Sequence, residues 1–302
     1  MSIFGNNNYG YQNSGGGSGI NLRVIAGLVI AAIGVISYLT HTEVNPVTGE
    51  KQHISISVDQ EKALGLQAAP QMAQEMGGIA DDSDPRTAEV KKIGQELLAK
   101  TDAGKSPYTD NFHFNLLRDN QTINAFSLPG GQVFITAALY DRLENEAQLA
   151  GVLGHECGHV IGRHGAEQMA TGQLGSMLVT AIGIGASDSR GRGQLAAMAA
   201  AMANSMLQLR YSRDDEFEAD HFGLQFMSQA GYDPSQMRRV MEILKQVAGK
   251  SSAAAAIFQT HPDPDARIDR IDQFLKENYP NGVPGNFRTG FNLKSGAPTN
   301  VE

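Results

Sequence analysis

The spacing of hydrophobic and polar residues predicts helices before a short stretch of strands. One helix is predicted from Asp59 to Ala73, and a second begins at Asp84 and Pro85, a pair that often starts helices. In the second helix, apolar residues recur every three or four positions, at Val90, Ile93, Leu97 and Leu98. Both helices are expected to have a structural role only, as a cover over the rest of the domain.

Between residues 112 and 136 the pattern changes to short strand-like runs. Phe112, Phe114 and Leu116 alternate with polar neighbours, and further runs cover 123–128 and 132–136. The last two runs are separated by Pro129, Gly130 and Gly131, which favour a turn. We therefore expect a small antiparallel sheet in a protein of the α+β class that is mainly helical.

The helix predicted from Asn145 to Met169 carries the main candidate chemistry. It contains His155, Glu156 and His159 in the order H-E-x-x-H. Histidines four residues apart project from one face of a helix, so both imidazoles can bind a single metal ion. Glu156 is then close enough to act as a general base on a metal-bound water. The alternative is an amphipathic helix in which two histidines occur by chance.

Glycines form a stripe beside these histidines. At 100° per residue, Gly151, Gly154, Gly158 and Gly162 share one narrow face of the helix. Each glycine costs a helix about 1 kcal/mol relative to alanine, so four on one face need a physical reason. We expect a second helix to approach closely there and to bring the third protein ligand of a catalytic metal site.

A segment suited to that role runs from Arg213 to Met227. Glu216, Ala219, Asp220 and Gly223 fall on one face of it, so two carboxylates lie among small residues. Glu216 is the expected third ligand, and Asp220 is expected to accept the free N–H of a ligand histidine. Glu218 points elsewhere and is a weaker candidate. A solvated acidic face is the alternative interpretation.

Three motifs in this order resemble one family of zinc metalloproteases. They are H-E-x-x-H at His155, E-x-x-A-D at Glu216, and His261-Pro262 followed by Arg267-Ile268. The family is metallopeptidase family forty-eight, which includes HtpX, the mitochondrial Oma protease, bacterial periplasmic relatives and the CAAX prenyl protease. The resemblance extends from about Gln60 to Glu277. It implies a gluzincin domain with one Zn²⁺ per chain, held by His155, His159 and Glu216, and Glu156 as the catalytic base.

The same resemblance suggests roles for two further segments. The stretch Asn124, Ala125 and Phe126 is similar to the strand that holds the substrate backbone beside the metal, although Pro129 to Gly131 could simply turn a hairpin. His261 is brought towards the metal, either to stabilise the oxyanion or to occupy the open coordination position, with Arg267 holding its loop. A histidine before a Pro-Asp-Pro turn is otherwise often a capping residue.

The amino-terminal region predicts a membrane anchor. Residues 1–19 are rich in Asn, Gly and Ser and are expected to be a disordered tail. Residues 20–40 are apolar over about 20 residues, the length of a transmembrane helix. Arg23 precedes most of this segment and Glu43 follows it, which favours a cytoplasmic amino terminus and a catalytic domain on the periplasmic or extracytoplasmic side. The alternatives are a cleaved signal peptide and a buried helix.

The other boundaries follow from composition. Residues 41–58 are expected to be a linker, 59–278 the metallopeptidase domain, and 279–302 a flexible tail. Segments 172–186 and 194–209 consist largely of small and apolar residues, and they are expected to cover the metal site; membrane contact is the alternative.

Charge and cysteine content exclude other classes of function. The net charge of −8 and the lack of a long Lys/Arg block argue against nucleic acid as a partner. Cys157 is the single cysteine, so no internal disulfide forms. Because it lies on the apolar side of its helix, we expect Cys157 to be a buried packing residue and not a nucleophile.

These patterns and the resemblance together predict a zinc-dependent metalloendopeptidase. The set of two histidines and one carboxylate also suits non-haem iron, but H-E-x-x-H on a helix favours zinc. The resemblance implies unfolded or misfolded protein substrates, including unassembled membrane or envelope proteins. The sequence leaves open a homo-oligomer or an envelope assembly partner. The alternative function is a membrane-tethered chaperone or assembly factor with a gated metal site that rarely cuts. A prenyl-protein endoprotease is a weaker alternative, because that activity accompanies many membrane spans.

Overall fold

The computed structural model describes residues 22–54, 56–172, 210–248 and 257–294. The predicted disordered tail, almost all of the two apolar segments 172–186 and 194–209, and the last eight residues lie outside these ranges. Nine helices within the described part are labelled in chain order. They are α1 (Leu22–Thr40), α2 (Val58–Glu75), α3 (Pro85–Lys100), α4 (Ala137–Tyr140), α5 (Glu146–Ile161), α6 (Arg213–Ala230), α7 (Ser235–Ala248), α8 (Ile257–Thr260) and α9 (Pro264–Asn278).

Helix α1 is followed by a short hairpin in the predicted linker. Strands β1 (Glu43–Val44) and β2 (Lys51–Gln52) pair antiparallel. Most apolar side chains of α1 are exposed, with Leu28 and Ile36 among them. No helix in the described ranges is long and apolar enough to cross a membrane. The span expected at 20–40 therefore stays a prediction.

A three-stranded sheet lies beside the helices, and its topology differs from expectation. It contains β3 (His113–Leu117), β4 (Ala125–Leu128) and β5 (Gln132–Thr136), in the order β3-β5-β4. The pair β4–β5 is antiparallel, but β3 runs parallel to β5, so the prediction of an antiparallel sheet is wrong. Strand β5 lies in the centre, and the connection after β3 carries the chain to the opposite edge of the sheet, where β4 forms. The turn from β4 into β5 then reverses the chain, so β5 runs in the same direction as β3.

Helix α5 is the centre of the core. All sixteen of its residues are buried, and it packs against α3, α6, α7 and β4. Cys157 is fully buried within it, as expected, and burial raises the pKa of its thiol. Asn145 caps the helix by accepting a hydrogen bond from the Gln148 backbone N–H. The helix that carries the candidate ligands is thus enclosed on every side.

The carboxyl end of α5 also differs from the predicted helix 145–169. The helix ends at Ile161, and the chain turns through Gly162 and Arg163 before another helical segment begins at 164. Arg163 has φ of +60°, a left-handed conformation that interrupts the helix. Residues after Ile161 therefore do not continue the faces of α5.

The segment after α9 packs on the domain instead of leaving it at once. The backbone N–H groups of Glu146 and Leu293 donate to the carbonyls of Phe291 and Glu144, respectively. The Arg288 guanidinium stacks on the Tyr232 ring, 4.2 Å from its centroid. We predicted a flexible tail from residue 279, but Arg288, Phe291 and Leu293 of this segment contact the rest of the domain.

Candidate metal centre

Helix α5 presents two imidazoles to one buried point. His155 and His159 are 6% and 1% exposed, and their Nε2 atoms are 3.0 Å apart. The four-residue spacing places both rings on one face, as the helical period requires. The position of a metal ion between them is thus set by the local geometry of one helix.

Helix α6 lies directly against the glycine stripe of α5. A Cβ atom added to Gly158 would lie 2.9 Å from the Ala219 Cα, and one added to Gly154 would lie 3.3 Å from the Gly223 Cα. Only glycine allows the two backbones to come this close. This approach carries the fully buried Glu216 to 3.3 Å from the His159 Nε2.

A fourth donor completes the cluster. Within the described ranges, His155, His159, Glu216 and His261 offer ligand atoms that all lie within 4.8 Å of one another. The His261 Nδ1 is 3.0 Å from the Glu216 Oε1 and 3.3 Å from the His155 Nε2. Corners of a tetrahedron around Zn²⁺ with bonds of ~2.0–2.1 Å are about 3.3 Å apart, so the spacing of these donors fits such an ion.

The free ring nitrogen of His155 is held by a carboxylate and an arginine. The His155 Nδ1 lies 2.9 Å from the Asp220 Oδ1. Arg267 donates to both oxygens of Asp220, at 2.7 and 2.6 Å, and pairs with the Glu216 Oε2 at 2.7 Å. Sequence reasoning named both residues, and the fold brings both to the cluster.

The free ring nitrogen of His159 has partners that sequence reasoning missed. The His164 Nδ1 is 2.8 Å from the His159 Nδ1, and the His164 Nε2 is 2.8 Å from the Glu218 Oε2. The Tyr211 ring stacks on His159 with centroids 3.8 Å apart. If the helix continued to Met169, His164 would lie on its apolar side. The turn at Gly162 instead places the His164 imidazole against His159. That glycine was the available signal, because a Cβ there would overlap the His164 imidazole.

The electrostatics of the cluster follow from burial and from paired charges. Burial opposes ionisation of Glu216, but the charges of His261 and Arg267 outweigh it and hold the pKa of Glu216 well below its usual range. Burial lowers the pKa of His159 well below its ordinary value. At neutral pH the cluster thus offers an anionic carboxylate and a neutral imidazole, both in the states that bind metal.

Glu156 lies inside this cluster with unused hydrogen-bonding capacity. It is 1% exposed, and its Oε1 is 3.7 Å from the His261 Nε2. Its buried Oε2 has no hydrogen-bond partner among the described residues. Buried polar atoms are rarely left unpaired, so this oxygen fits a group that interacts with a water or a substrate.

The candidate substrate strand forms an edge of the sheet beside the cluster. Strand β4 pairs only with β5 in the described sheet, and the Ala125 carbonyl lies 3.2 Å from the His261 Nε2. Asn124 precedes the strand, and Phe126 lies within it. A cleft of about 290 Å³ runs past this edge. Its walls come from α2, β4, and Tyr211 with Thr260 and His261.

Comparison with known families now identifies the fold. The profile of Peptidase family M48 matches residues 84–275, more than half of the chain. The chain belongs to peptidase family M48. It is a metalloendopeptidase, and the family that the motifs suggested is confirmed.

Three named relatives are similar over most of this chain. The mitochondrial metalloendopeptidase OMA1 of Schizosaccharomyces pombe is 34% identical over 254 residues, which cover 84% of this chain and 72% of the relative. The beta-barrel assembly-enhancing proteases of Yersinia pestis and Escherichia coli K12 are 30% and 32% identical. They match 81% and 74% of this chain, which spans only 50% and 45% of their own lengths.

Proposed function

We propose that this M48 metalloendopeptidase is zinc-dependent and that His155, His159 and Glu216 hold one zinc ion. The observation that carries the proposal is the buried convergence of two imidazole nitrogens and a carboxylate on one point. Two histidines and a glutamate with an open fourth position are a known ligand set of catalytic zinc. A bound zinc would polarise the scissile carbonyl and lower the pKa of a water to about 7.

Glu156 is the general base and then the general acid of the proposed reaction. Its unpaired Oε2 accepts the proton of the attacking water, and the same carboxylic acid passes that proton to the leaving amine. Asp220 would accept the His155 Nδ1–H and thereby leave the Nε2 atom free to bind the metal. Arg267 contacts both Asp220 and Glu216 and thereby fixes the two carboxylates relative to each other.

His261 is proposed to close the metal site in a resting state. With His261 in the cluster, four protein donors converge on one point and together would fill the positions of a bound ion. In this proposal His261 withdraws before cleavage. The second role expected from the sequence is donation to an oxyanion, and the His261 Nε2 lies 3.2 Å from the carbonyl of Ala125 on the edge strand.

Substrate is proposed to bind as an extra strand along β4. An extended peptide can pair with the open edge of a sheet through its own backbone groups. The cleft beside β4 leads to His261 and is also lined by Met72, Glu75 and Met76 of α2. Binding mainly through backbone groups suits unfolded proteins of varied sequence.

The relatives favour a role in protein quality control at a membrane. Their names describe a mitochondrial metalloendopeptidase and a protease that enhances beta-barrel assembly. We propose that substrates are misfolded or unassembled membrane or envelope proteins. We also propose that residues 20–40 attach the chain to a membrane, with a cytoplasmic amino terminus and an extracytoplasmic domain. The exposed apolar side chains of α1 support that attachment.

A second candidate is a chaperone or assembly factor that rarely cuts. Two observations favour it: His261 is in the metal cluster, and some relatives are named for enhancing assembly. The full set of catalytic residues favours the protease, because Glu156 is not needed to bind a metal.

The first experiment measures zinc content and cleavage of unfolded casein for the full chain and for Glu156→Gln. We expect one zinc in each protein, and cleavage at least ~100-fold slower in the variant, because a positioned base contributes that much or more. Glu277→Gln, a change of an exposed carboxylate, is the matched control and should cut like wild type.

Each outcome separates the two candidate functions. Zinc in both proteins without cleavage in either would favour the chaperone, and His261→Ala would follow. Equal cleavage by wild type and Glu156→Gln would disprove the role of Glu156. Wild-type protein that holds no zinc would disprove the proposed metal site.

A further inference from the structure

The hairpin before α2 contacts the carboxyl end of the metal helix α5. Asn45 and Gln52 are buried, although amide side chains are usually exposed. The Asn45 Nδ2 donates to the Ile161 carbonyl at 2.9 Å, and the Gln52 Nε2 donates to the Gly162 carbonyl at 2.6 Å. The last carbonyls of a helix have no partner inside it, so the hairpin caps α5 from a distance of more than a hundred residues in sequence.

The same hairpin also holds Arg163, the residue after this cap. Arg163 is 2% exposed and has a left-handed backbone, which a side chain rarely adopts without support. Its guanidinium donates to the Glu43 Oε2 at 2.7 Å, to the Glu61 Oε1 at 2.7 Å and to the Ile56 carbonyl at 2.9 Å. Tyr108 donates to the second oxygen of Glu61 at 3.0 Å. The cap and the ion pairs together fix the direction in which the chain leaves α5.

That direction decides where His164 lies. His164 folds back over Gly162 and reaches the Nδ1 of His159, with Glu218 on its other side. Its position is therefore set by the turn at Gly162 and Arg163, and the turn is set by residues 43–61. Each of these contacts lies on the side of His159 away from the metal. A continuous set of contacts thus joins the hairpin to one metal ligand.

The buried ion pair between Arg163 and Glu61 fixes a geometry, whatever it contributes to stability. Buried ion pairs are often replaceable by apolar residues without loss of stability, so a buried Arg–Glu pair is weak evidence of a stabilising role. What such a pair supplies in addition is a fixed geometry. Glu43 and Glu61 also lie before residue 84, where the match to the family profile begins. The residues that fix this geometry therefore lie outside the segment that matches the family profile.

We propose that the hairpin Glu43–Gln52 is a positioning element of the metal site, acting through Arg163 and His164 on His159. The proposal rests on the proposed function, in which His159 binds the metal. It adds that the orientation of this ligand depends on residues that contact neither metal nor substrate. His53, the residue after the hairpin, contacts α1, because its ring stacks on Tyr38 with centroids 4.6 Å apart.

The test measures zinc release from the full chain to a colour-forming chelator. Glu43→Gln removes one partner of Arg163, and Glu50→Gln is the matched control, with an identical change at another exposed glutamate of the same hairpin. Arg163→Gly is the stronger variant, since glycine keeps the left-handed backbone and loses the guanidinium. His164→Ala is the direct comparison. We expect release to be about 10-fold to 100-fold faster in His164→Ala and Arg163→Gly, a smaller increase in Glu43→Gln, and no change in Glu50→Gln.

A double-mutant cycle separates positioning from general destabilisation. If the hairpin acts through His164, Glu43→Gln should have no further effect on zinc release in the His164→Ala background. Glu43→Asp, which restores the charge, should recover part of the wild-type rate. Unfolding of the metal-free proteins is measured in parallel. A merely structural role would change unfolding of the metal-free protein and would persist in the double variant.

The results that overturn the proposal are distinct from those that overturn the proposed function. Wild-type release rates in Glu43→Gln and Arg163→Gly, or an undiminished effect of Glu43→Gln in the His164→Ala background, would disprove the positioning role alone. Wild-type protein that holds no zinc would disprove the metal site and this proposal together.

Discussion

At the scale of single residues, His261 has the most context-dependent position. In the sequence it precedes a Pro-Asp-Pro turn, where a capping role is an ordinary explanation. In the structure Asp263, not His261, caps α9, with a left-handed φ of +58°. The turn directs the imidazole inward, where it is 2% exposed and contacts Glu216, His155 and the edge strand.

His261→Ala tests whether this residue closes the site. We expect casein cleavage to rise by about 5-fold or more, because the variant no longer occupies a closed state that competes with substrate. Zinc release should also become faster, since one donor is lost. The control is His113→Ala, a change of an exposed histidine on β3. A ~10-fold fall in cleavage with zinc retained would instead assign His261 to oxyanion stabilisation.

The role of Glu156 could be predicted from the sequence, whereas the contact of His164 with His159 could not. The role of Glu156 follows from its place within a five-residue motif on one helix. The contact between His164 and His159 depends on a backbone reversal at Arg163, which no helical pattern predicts. Functional residues within one turn of a helix can thus be found from their spacing. Residues that contact the site only after the backbone reverses direction cannot be found in this way.

At the scale of elements, the contact between α5 and α6 sets the ligand geometry. Their backbones approach so closely at Gly158 that a methyl group there would meet the backbone of Ala219. Glu216 lies one helical turn before Ala219, so separation of the helices would withdraw it from the histidines. The prediction of a close helix pair agrees with this geometry at Gly154 and Gly158. Gly151 instead faces the Met227 side chain, and Gly162 lies beyond the end of α5, where it faces His164.

Gly158→Ala is therefore expected to weaken metal binding as well as stability. Alanine would gain about 1 kcal/mol in helix propensity, but overpacking against a backbone typically costs ~1–3 kcal/mol. We expect lower zinc content and a net loss of stability in urea unfolding. Gly151→Ala is the control, because its methyl group would meet mainly the flexible Met227 side chain. Equal zinc content in both variants would contradict the prediction.

The sheet shows how connections decide the pairing of strands. The two-residue period correctly located three strands, and the turn at 129–131 made β4 and β5 a hairpin. The parallel pair β3–β5 is not encoded in any local pattern. It arises because β3 pairs with the far side of β5, which leaves β4 as the edge beside the metal cluster.

At the scale of the whole molecule, Glu96 joins distant parts of the chain. It accepts a hydrogen bond from Tyr232 at 2.7 Å and pairs with Lys100 and Arg288. Tyr232 follows α6, and Arg288 belongs to the segment after α9. Burial opposes ionisation of Glu96, but these three partners outweigh it and lower its pKa to about 2.

This lowered pKa predicts a loss of stability in acid. The ordinary pKa is 4.5, so the contribution of Glu96 is fully present above that pH and is lost as the pH falls towards 2. Between pH 6 and pH 3 the loss should be about 2 kcal/mol. Urea unfolding of the chelator-treated protein at both pH values measures it. Glu96→Gln should be less stable at pH 6 and lose less stability in acid, whereas the exposed Glu277→Gln should follow wild type.

The sequence by itself determined the chemistry of this protein. The spacing of His155, Glu156 and His159, the glycine stripe and the carboxylates of the second helix all depend on the period of a helix, which is local. These features predicted a metal site with a general base. The resemblance of three motifs, with the one at His261 included, suggested a metalloendopeptidase of family M48, and that family is confirmed. The mainly helical class and the locations of the strands followed from the same local patterns.

Only the tertiary structure decided how that chemistry is held. The parallel strand pair, the entry of His261 into the metal cluster, the return of His164 to His159 and the cap supplied by Asn45 and Gln52 all join residues that are distant in sequence or separated by a reversal of the backbone. Such contacts depend on the path of the whole chain around α5. Periodicity describes which face an element buries, but it does not specify which other element will cover that face.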